Sequence, residues 1–130
     1  LYTKYSKQTR FSQVEIFLFL MIKHAIIDLG MQPFGIGHTK LRYFGGPAHL
    51  QHYIPHGVLT MLVMAFYSSI EVCILLGLLD YILHWHTDFL KTHIRNYYGL
   101  IPKQRVYWLL NTADQICHFL GYYLIITLGT

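Results

Sequence analysis

Four stretches of mostly apolar residues alternate with short polar or glycine-containing segments along the 130-residue chain. Each stretch has about 21 to 28 residues, enough for an α-helix that rises 1.5 Å per residue to cross a hydrocarbon core of about 30 Å. We place these spans at residues 12–32, 47–69, 70–97 and 105–128. The pattern predicts an all-α integral membrane bundle of about four antiparallel transmembrane helices, forming a single transmembrane domain over residues 1–130.

Helix-breaking residues set the limits of these spans. The first span ends at Pro33, and a glycine-rich connection over residues 34–46 leads to Pro47, which suits a first helical turn. Only the polar pair at 68–69 separates the second and third spans, so we expect them to be antiparallel neighbours. Residues 1–11 form a basic N-terminal segment ahead of the first span.

Composition agrees with a surface that faces lipid. The chain is 54% hydrophobic and 12% charged, whereas soluble domains carry about 25% charged residues. The net charge of +4 comes from basic residues at span ends and connections rather than from a stripe, a placement that favours lipid headgroups over nucleic acid. The predicted partners are membrane lipids, with a homo-oligomer or a larger membrane complex left open, and the alternative is a soluble helical bundle with an unusually apolar surface.

Basic residues also predict an orientation. Three lie on the side of the two termini and six on the side of the connections Pro33–Gly46 and Asn96–Gln104, so we expect those connections to be cytoplasmic. No obvious signal-peptidase site follows Phe11–Ile22, so we expect this stretch to be a retained helix. Cys73 and Cys117 both lie in apolar runs and are expected to be small core residues rather than a disulfide.

The ionisable residues inside the spans form four pairs, one in each span. Both members of every pair are four residues apart, which places them one turn apart on the same helix face. Because consecutive spans alternate in direction, pairs that lie late, early, late and early along their spans fall at one depth in the membrane. The pairs are His24 and Asp28, His52 and His56, His84 and Asp88, and Asp114 and His118.

These eight side chains predict a metal site inside the bundle. Isolated charges in a membrane are costly, so buried aspartates need partners. Five imidazoles and three carboxylates offer ligands for one or two divalent ions, and inward-facing ligands on bundle helices are how di-metal carboxylate proteins are built. The mixture of nitrogen and oxygen ligands suits Zn²⁺, Fe²⁺ or Mn²⁺. The plainer alternative is that each pair is a hydrogen-bonded packing device.

Other polar residues fit the ligand pattern less well. His86 points away from the face that carries His84, and three further histidines lie off the pattern. Asp80 shares the face of His84, and Lys91 lies about one turn beyond Asp88, so both could orient ligands or contact substrate. Asn111 and Gln32 have similar positions relative to the pairs. The three off-pattern histidines are His38, His49 and His93.

Proline and glycine residues predict local details of the second span and its neighbours. Pro55 removes a backbone donor beside His56 and predicts a kink there. Gly57, Gly77 and Gly121 permit close approach of neighbouring helices.

The motifs around the four pairs resemble the domain-of-unknown-function family 3307, a group of small bacterial and phage membrane proteins. The strings are His24-Ala-Ile-Ile-Asp28-Leu-Gly-Met-Gln32, His52-Tyr-Ile-Pro-His56-Gly, His84-Trp-His-Thr-Asp88-Phe-Leu-Lys91 and Asp114-Gln115-Ile-Cys-His118. They follow the family's order between about Lys23 and Leu120, although Leu29 stands where the family commonly has an aromatic residue. The resemblance implies a membrane protein of the inner membrane of a bacterium and names no reaction.

The leading functional hypothesis is a metal-dependent hydrolase. Its ion would activate a water molecule, and a carboxylate not fully used in coordination, Asp88 or Asp114, would be the catalytic base. The substrate would be a lipid or a lipid-linked phosphate or amide. It would enter from the leaflet on the side of the glycine-rich connection, because the four pairs lie nearer to that side of the membrane. A di-iron oxidoreductase would use the same ligands.

Two further hypotheses involve no hydrolysis. Histidines on separate helices, such as His56 and His118, could ligate a haem in an electron-transfer bundle. Alternatively, the chain is a non-enzymatic subunit of a larger complex, in which the polar cluster specifies helix packing or relays protons. The sequence leaves the choice between an enzyme and a non-enzymatic subunit open.

Overall fold

The computed structural model describes the backbone of residues 2–30 and 49–130, and the side chains of residues 12–30 and 50–130. Within these ranges the chain is helical, which confirms the all-α prediction. Helix α1 is Tyr2–Gly30, a π-helical turn spans His49–Tyr53, α2 is Ile54–Met64, α3 is Ile70–Tyr97 and α4 is Arg105–Gly129. The predicted connection at 34–46 lies outside the described residues, as do Gln32, Pro33, His38 and Pro47.

The helix limits agree with the predicted spans best in the second half of the chain. Helix α3 has the predicted limits, and α4 extends one residue beyond residue 128. Helix α1 begins ten residues before the predicted start at 12, because Lys and Gln in the basic segment are good helix formers although they are not apolar. Helix α2 ends at Met64 rather than at 69, and a turn over residues 65–69 leads into α3.

A π-helical turn lies immediately before Pro55, the residue at which the sequence predicts a kink. Pro55 lies in the first turn of α2, and the π-helical residues His49–Tyr53 lie immediately before that helix. A proline has no N–H to donate, and its ring crowds the carbonyl four residues earlier, so a wider turn relieves the clash. This turn carries His52 and leads directly to His56.

The end of the bundle near the C-terminus holds an apolar core. There the Gln13 side chain donates a hydrogen bond to Thr130 Oγ1 (3.1 Å), and Ser68 Oγ donates one to the Gly129 carbonyl (2.5 Å). The start of the predicted first span, the α2–α3 turn and the end of α4 therefore meet at one end, as an antiparallel bundle requires. The buried core residues are Ile16, Leu20, Met64, Cys73, Leu76, Tyr122, Ile125 and Ile126.

Helices α2 and α3 cross in close contact at two glycines. A Cβ atom added to either Gly57 or Gly77 would lie 2.7 Å from the carbonyl oxygen of the other, and one on Gly77 would also overlap Met61. The predicted close approach at these two positions is confirmed. At Gly121 the approach is looser, because an added Cβ would meet only Leu83, at 3.4 Å.

Helix length and composition do not support four membrane spans. In the described part of the chain, α3 alone is long and apolar enough to cross a membrane by these two criteria. Helix α2 has 11 residues, and α1 carries Glu15, Lys23 and Asp28 within its apolar region. A single helix of this kind also occurs in the core of soluble proteins, so it does not by itself define a membrane protein.

The cysteine prediction is right for one of the two residues. Both are free thiols, and Cys73 is buried in the apolar core. Cys117 is exposed on α4, where it lies beside the buried face that carries Asp114 and His118 rather than on it. Its expected place in the core was therefore wrong.

Candidate metal centre

The half of the bundle away from the apolar core is filled with imidazoles and carboxylates. A first group of His24, Asp28, His56 and His84 offers one ligand atom from each residue, all within 4.8 Å of one another. His24 Nε2 lies 3.1 Å from Asp28 Oδ2, and His56 Nε2 lies 3.2 Å from Asp28 Oδ1. Three helices thus contribute to this group.

A second group consists of Asp88, Asp114 and His118, all buried. His118 Nε2 lies 3.4 Å from Asp88 Oδ1 and 3.5 Å from Asp114 Oδ1. Among the described residues, His118 Nε2 and Asp114 Oδ1 have no partner in hydrogen-bond geometry. Ligand atoms about 2.1 Å from a tetrahedral Zn²⁺ ion are about 3.4 Å apart, so this spacing is compatible with an ion between them, as well as with direct His–Asp ion pairs.

His52 joins the two groups. Its Nε2 atom lies 3.2 Å from Asp28 Oδ1 in the first group and 3.2 Å from Asp88 Oδ2 in the second. All eight side chains singled out in the sequence therefore belong to one continuous cluster, in which each contacts another member within 3.5 Å.

Stacked imidazoles fill the centre of the cluster. The His84 ring stacks on His56, with ring centroids 3.6 Å apart, and on His118, with centroids 4.1 Å apart. His84 thus lies between the two histidines considered as haem ligands. A porphyrin does not fit between rings in this arrangement, so the geometry does not favour the haem hypothesis.

Asp80 orients His84 from outside the first group. Its Oδ1 atom lies 3.0 Å from His84 Nδ1, while His84 Nε2 lies 3.2 Å from His24 Nδ1. The second oxygen of Asp80 accepts hydrogen bonds from Thr60 Oγ1 (2.5 Å) and from the buried ammonium of Lys23. A carboxylate on one ring nitrogen fixes the histidine tautomer and leaves the other nitrogen as the ligand atom, the usual arrangement around a protein-bound metal.

His24 is held from α4 as well as from within α1. Its Nδ1 atom lies 2.8 Å from the Tyr122 hydroxyl, and its Nε2 atom lies 3.2 Å from Gln115 Oε1. These contacts occupy both ring nitrogens of His24, so an ion bound to His24 would replace at least one of them. Tyr122 also connects the polar cluster to the apolar core, because its ring is fully buried there.

The cluster carries an excess of negative charge. The cluster and Asp80 together contain all four aspartates of the chain, and two lysines contact them: Lys23 pairs with Asp80, and Lys91 donates to Asp114 Oδ2 at 2.7 Å. With neutral imidazoles, two carboxylate charges remain uncompensated among the described residues. A divalent cation would balance them.

A side cavity of about 290 Å³ gives access to the cluster between α1 and α4. Of the two carboxylates considered as the catalytic base, Asp114 lines this cavity and Asp88 does not. The lining residues are Met21, His24, Ala25, Asp28, Leu29, Lys91, Asn111, Asp114 and Gln115.

Several polar residues were placed correctly outside the cluster, and others were not anticipated as partners. His86 is exposed, and its Nδ1 atom lies 2.8 Å from the Ile82 carbonyl; His93 is exposed too. The sequence did not predict the contacts of Thr60, Tyr122 and Lys23 with the cluster. Each of these residues contacts a side chain 20 or more residues away in the chain. The one sequence signal for these contacts was Lys23 itself, a lysine next to His24 at membrane depth in the predicted first span.

Comparisons with known proteins found no match to this chain. No protein-family model matches it, and neither a curated protein nor a solved structure is significantly similar to it. The resemblance of its four motifs to family 3307 stays a prediction.

Proposed function

We propose that this chain is a membrane-embedded metalloprotein that binds one or two divalent ions in its His/Asp cluster and hydrolyses a lipid or lipid-linked substrate. The observation that carries the proposal is the convergence of eight His and Asp side chains from four helical segments, with Asp80 orienting His84. The metal would be Zn²⁺, Fe²⁺ or Mn²⁺.

The distribution of exposed residues supports a membrane location. Exposed charged side chains among the described residues lie only near the two ends of the bundle, at Glu15, Glu71, Lys103 and Arg105. Between these ends, α3 exposes Ile74, Leu75, Leu78 and Ile82. Only 33% of the 18-residue apolar stretch of α3 is buried inside the protein. A soluble protein rarely exposes such a continuous apolar surface, whereas a lipid-facing helix does so along its whole length.

Exposed polar atoms support the same location. The Thr112 hydroxyl donates to the Trp108 carbonyl (2.9 Å), and the Thr127 hydroxyl donates to the Leu124 carbonyl (2.9 Å). Polar groups that face hydrocarbon must find partners on their own helix because no water is available. Exposed Tyr97, Tyr98 and Trp108 lie near the α3–α4 connection, where a membrane interface would place aromatic rings.

The proposed chemistry assigns separate tasks to the cluster. A divalent ion would supply a Lewis acid and an activated water molecule when bound. The residues that would hold it are the eight of the cluster, and Asp80 would position His84. Asp114 faces the cavity, so it is better placed than Asp88 to accept a proton from the water molecule.

Metal analysis combined with one variant pair tests this proposal. The protein, purified in detergent without chelators, should contain about one or two equivalents of a transition metal. Asp114→Asn should keep the helical fold and lose hydrolysis of lipid phosphate or amide substrates, whereas Thr112→Val, on the exposed face of α4, should change neither property. Absence of metal from the folded wild-type protein would contradict the proposal.

A second candidate function is a proton-relay subunit of a larger membrane complex. It is favoured by the close succession of ten side chains at 3.5 Å or less, in which the two contacts of His118 Nε2, at 3.4 and 3.5 Å, are close approaches without hydrogen-bond geometry. In that case isosteric Asp→Asn changes would leave folding intact but abolish dye-detected proton flux in liposomes, and no metal would be bound. The chain of contacts is Lys91, Asp114, His118, Asp88, His52, Asp28, His24, His84, Asp80 and Lys23.

A further inference from the structure

The side cavity between α1 and α4 has features of a headgroup site rather than of a site for a whole lipid. Its volume of about 290 Å³ is just below the usual range for pockets that enclose drug-sized molecules, about 300–1,000 Å³. Leu29 lines the cavity and is 73% exposed, so the cavity opens sideways beside an apolar surface. A small polar group could therefore enter while an attached hydrocarbon chain stays outside.

Charge decides which polar group the cavity favours. Without metal, it is lined by the carboxylates of Asp28 and Asp114 and by the ammonium of Lys91, so its local charge is negative. Two divalent ions in the cluster would turn the excess of two negative charges into an excess of two positive charges. Asp114, which lines the cavity, also belongs to the second group of candidate ligands, so an ion held there would lie next to the cavity.

Lys91 gives the cavity a donor suited to phosphate. Its ammonium donates to Asp114 Oδ2 and retains partial exposure, with 18% of the side chain accessible. A lysine ammonium is a compact point charge and a common phosphate ligand, and metal ions stabilise the charged oxygens of a phosphoryl group. A neutral amide headgroup carries no negative charge for the Lys91 ammonium to pair with, so this ammonium favours phosphate over amide.

We infer that this cavity binds the phosphate headgroup of an anionic lipid, that Lys91 contacts that phosphate, and that binding requires the metal ions. This inference rests on the proposed function and narrows its substrate from lipids and lipid-linked amides to lipid phosphates. Hydrolysis would then break the phosphoester P–O bond. Water would provide the oxygen that joins phosphorus, and the alcohol leaving group would take up a proton.

Binding of two soluble probes to the full chain tests the inference. Dioctanoyl phosphatidate and inorganic phosphate are titrated calorimetrically into detergent-solubilised protein, with and without prior removal of metal by a chelator. Phosphatidate should bind at least about tenfold more tightly than inorganic phosphate, because its glycerol and acyl groups contact the apolar rim. Both should lose binding when the metal is removed.

Variants then assign the site. Lys91→Gln should weaken phosphatidate binding by about tenfold or more, the scale of one charge-assisted hydrogen bond, and Lys91→Arg should restore much of it. Leu29→Trp should obstruct the opening and weaken phosphatidate binding, whereas Leu18→Trp, exposed on α1 but outside the cavity lining, should not. Circular dichroism and metal content are measured on each sample.

The outcomes separate this inference from the proposed function. Folded protein without metal contradicts the proposed function and the inference together. Metal-loaded protein whose phosphatidate binding survives chelation, Lys91→Gln or Leu29→Trp contradicts the inference alone. Equal binding of both probes would show a site for free phosphate and would overturn the assignment to a lipid.

Discussion

His84 Nδ1 lies 3.0 Å from Oδ1 of Asp80, one turn earlier on α3. The other ring nitrogen of His84 faces His24 from α1. Because Asp80 is in turn held by Thr60 and Lys23, the orientation of His84 is determined by side chains from three helices. The same relationship supports a metal-ligating role for His84 and predicts the effect of changing Asp80.

Asp80→Asn should weaken metal binding without removing a ligand. The amide cannot accept from both the imidazole and Lys23 as the carboxylate does, so we expect metal affinity to fall about 10- to 100-fold, the usual effect of changing an outer partner of a ligand. Competition with a chromophoric chelator measures this affinity. Glu71→Gln, an exposed acidic residue on the same helix, is the matched control and should leave the affinity unchanged.

His84→Ala and His86→Ala should differ sharply in their effects on metal content and on the free energy of unfolding. Loss of the buried His84 ring removes a ligand and the contacts that stack it between His56 and His118, so metal content should fall and unfolding free energy should drop by about 2 kcal/mol or more. His86 is exposed, so its replacement should change stability by about 0.5 kcal/mol or less. Equal effects of the two variants, measured by denaturant unfolding in detergent and elemental analysis, would contradict the assigned site.

Gly77→Ala should destabilise the bundle through the α2–α3 crossing. The added methyl group would lie 2.7 Å from the Gly57 carbonyl oxygen and overlap Met61, which should cost about 1–3 kcal/mol of overpacking. Gly121→Ala meets only Leu83 at 3.4 Å and should be close to neutral. Thermal unfolding of the two variants compares them, and a stability of Gly77→Ala equal to that of wild type would show that the helices do not cross so closely.

Spin labels on α3 should report a lipid environment between the ends of the bundle. Labels at Leu78 and Ile82, both exposed on the outer face, should be accessible to oxygen and protected from a water-soluble nickel complex in lipid nanodiscs. A label at Lys103, in the α3–α4 connection, should show the opposite preference. Labels at all three positions that respond mainly to the nickel complex would indicate a soluble bundle.

Local sequence signals predicted the parts of this structure that depend on neighbours along the chain. Ser68 and Ser69 interrupt an apolar run, and α3 begins directly after them; Pro55 lacks a backbone donor, and a π-helical turn forms there. The i, i+4 spacing placed each His and Asp pair on one face, and alternating direction brought the pairs to one depth. These inferences needed no long-range information.

The contacts between distant residues could not be derived in the same way. Lys23 and Asp80 are 57 residues apart, and His24 and Tyr122 are 98 residues apart, so their pairing depends on helix rotation and crossing. The apolar run also gave a wrong start for α1, because charged residues can be good helix formers without being apolar. The four spans were inferred from apolar runs alone, whereas helix length and composition support a span in α3 only.

Elemental analysis of the purified full chain tests the central claim most directly. Protein prepared in detergent without chelators and then dialysed against metal-free buffer is analysed by plasma mass spectrometry beside His84→Ala prepared identically. The account predicts about one or two equivalents of zinc, iron or manganese per wild-type chain, and a clear loss in the variant. Folded wild-type protein that holds none of these metals, even after incubation with each of them, would contradict it.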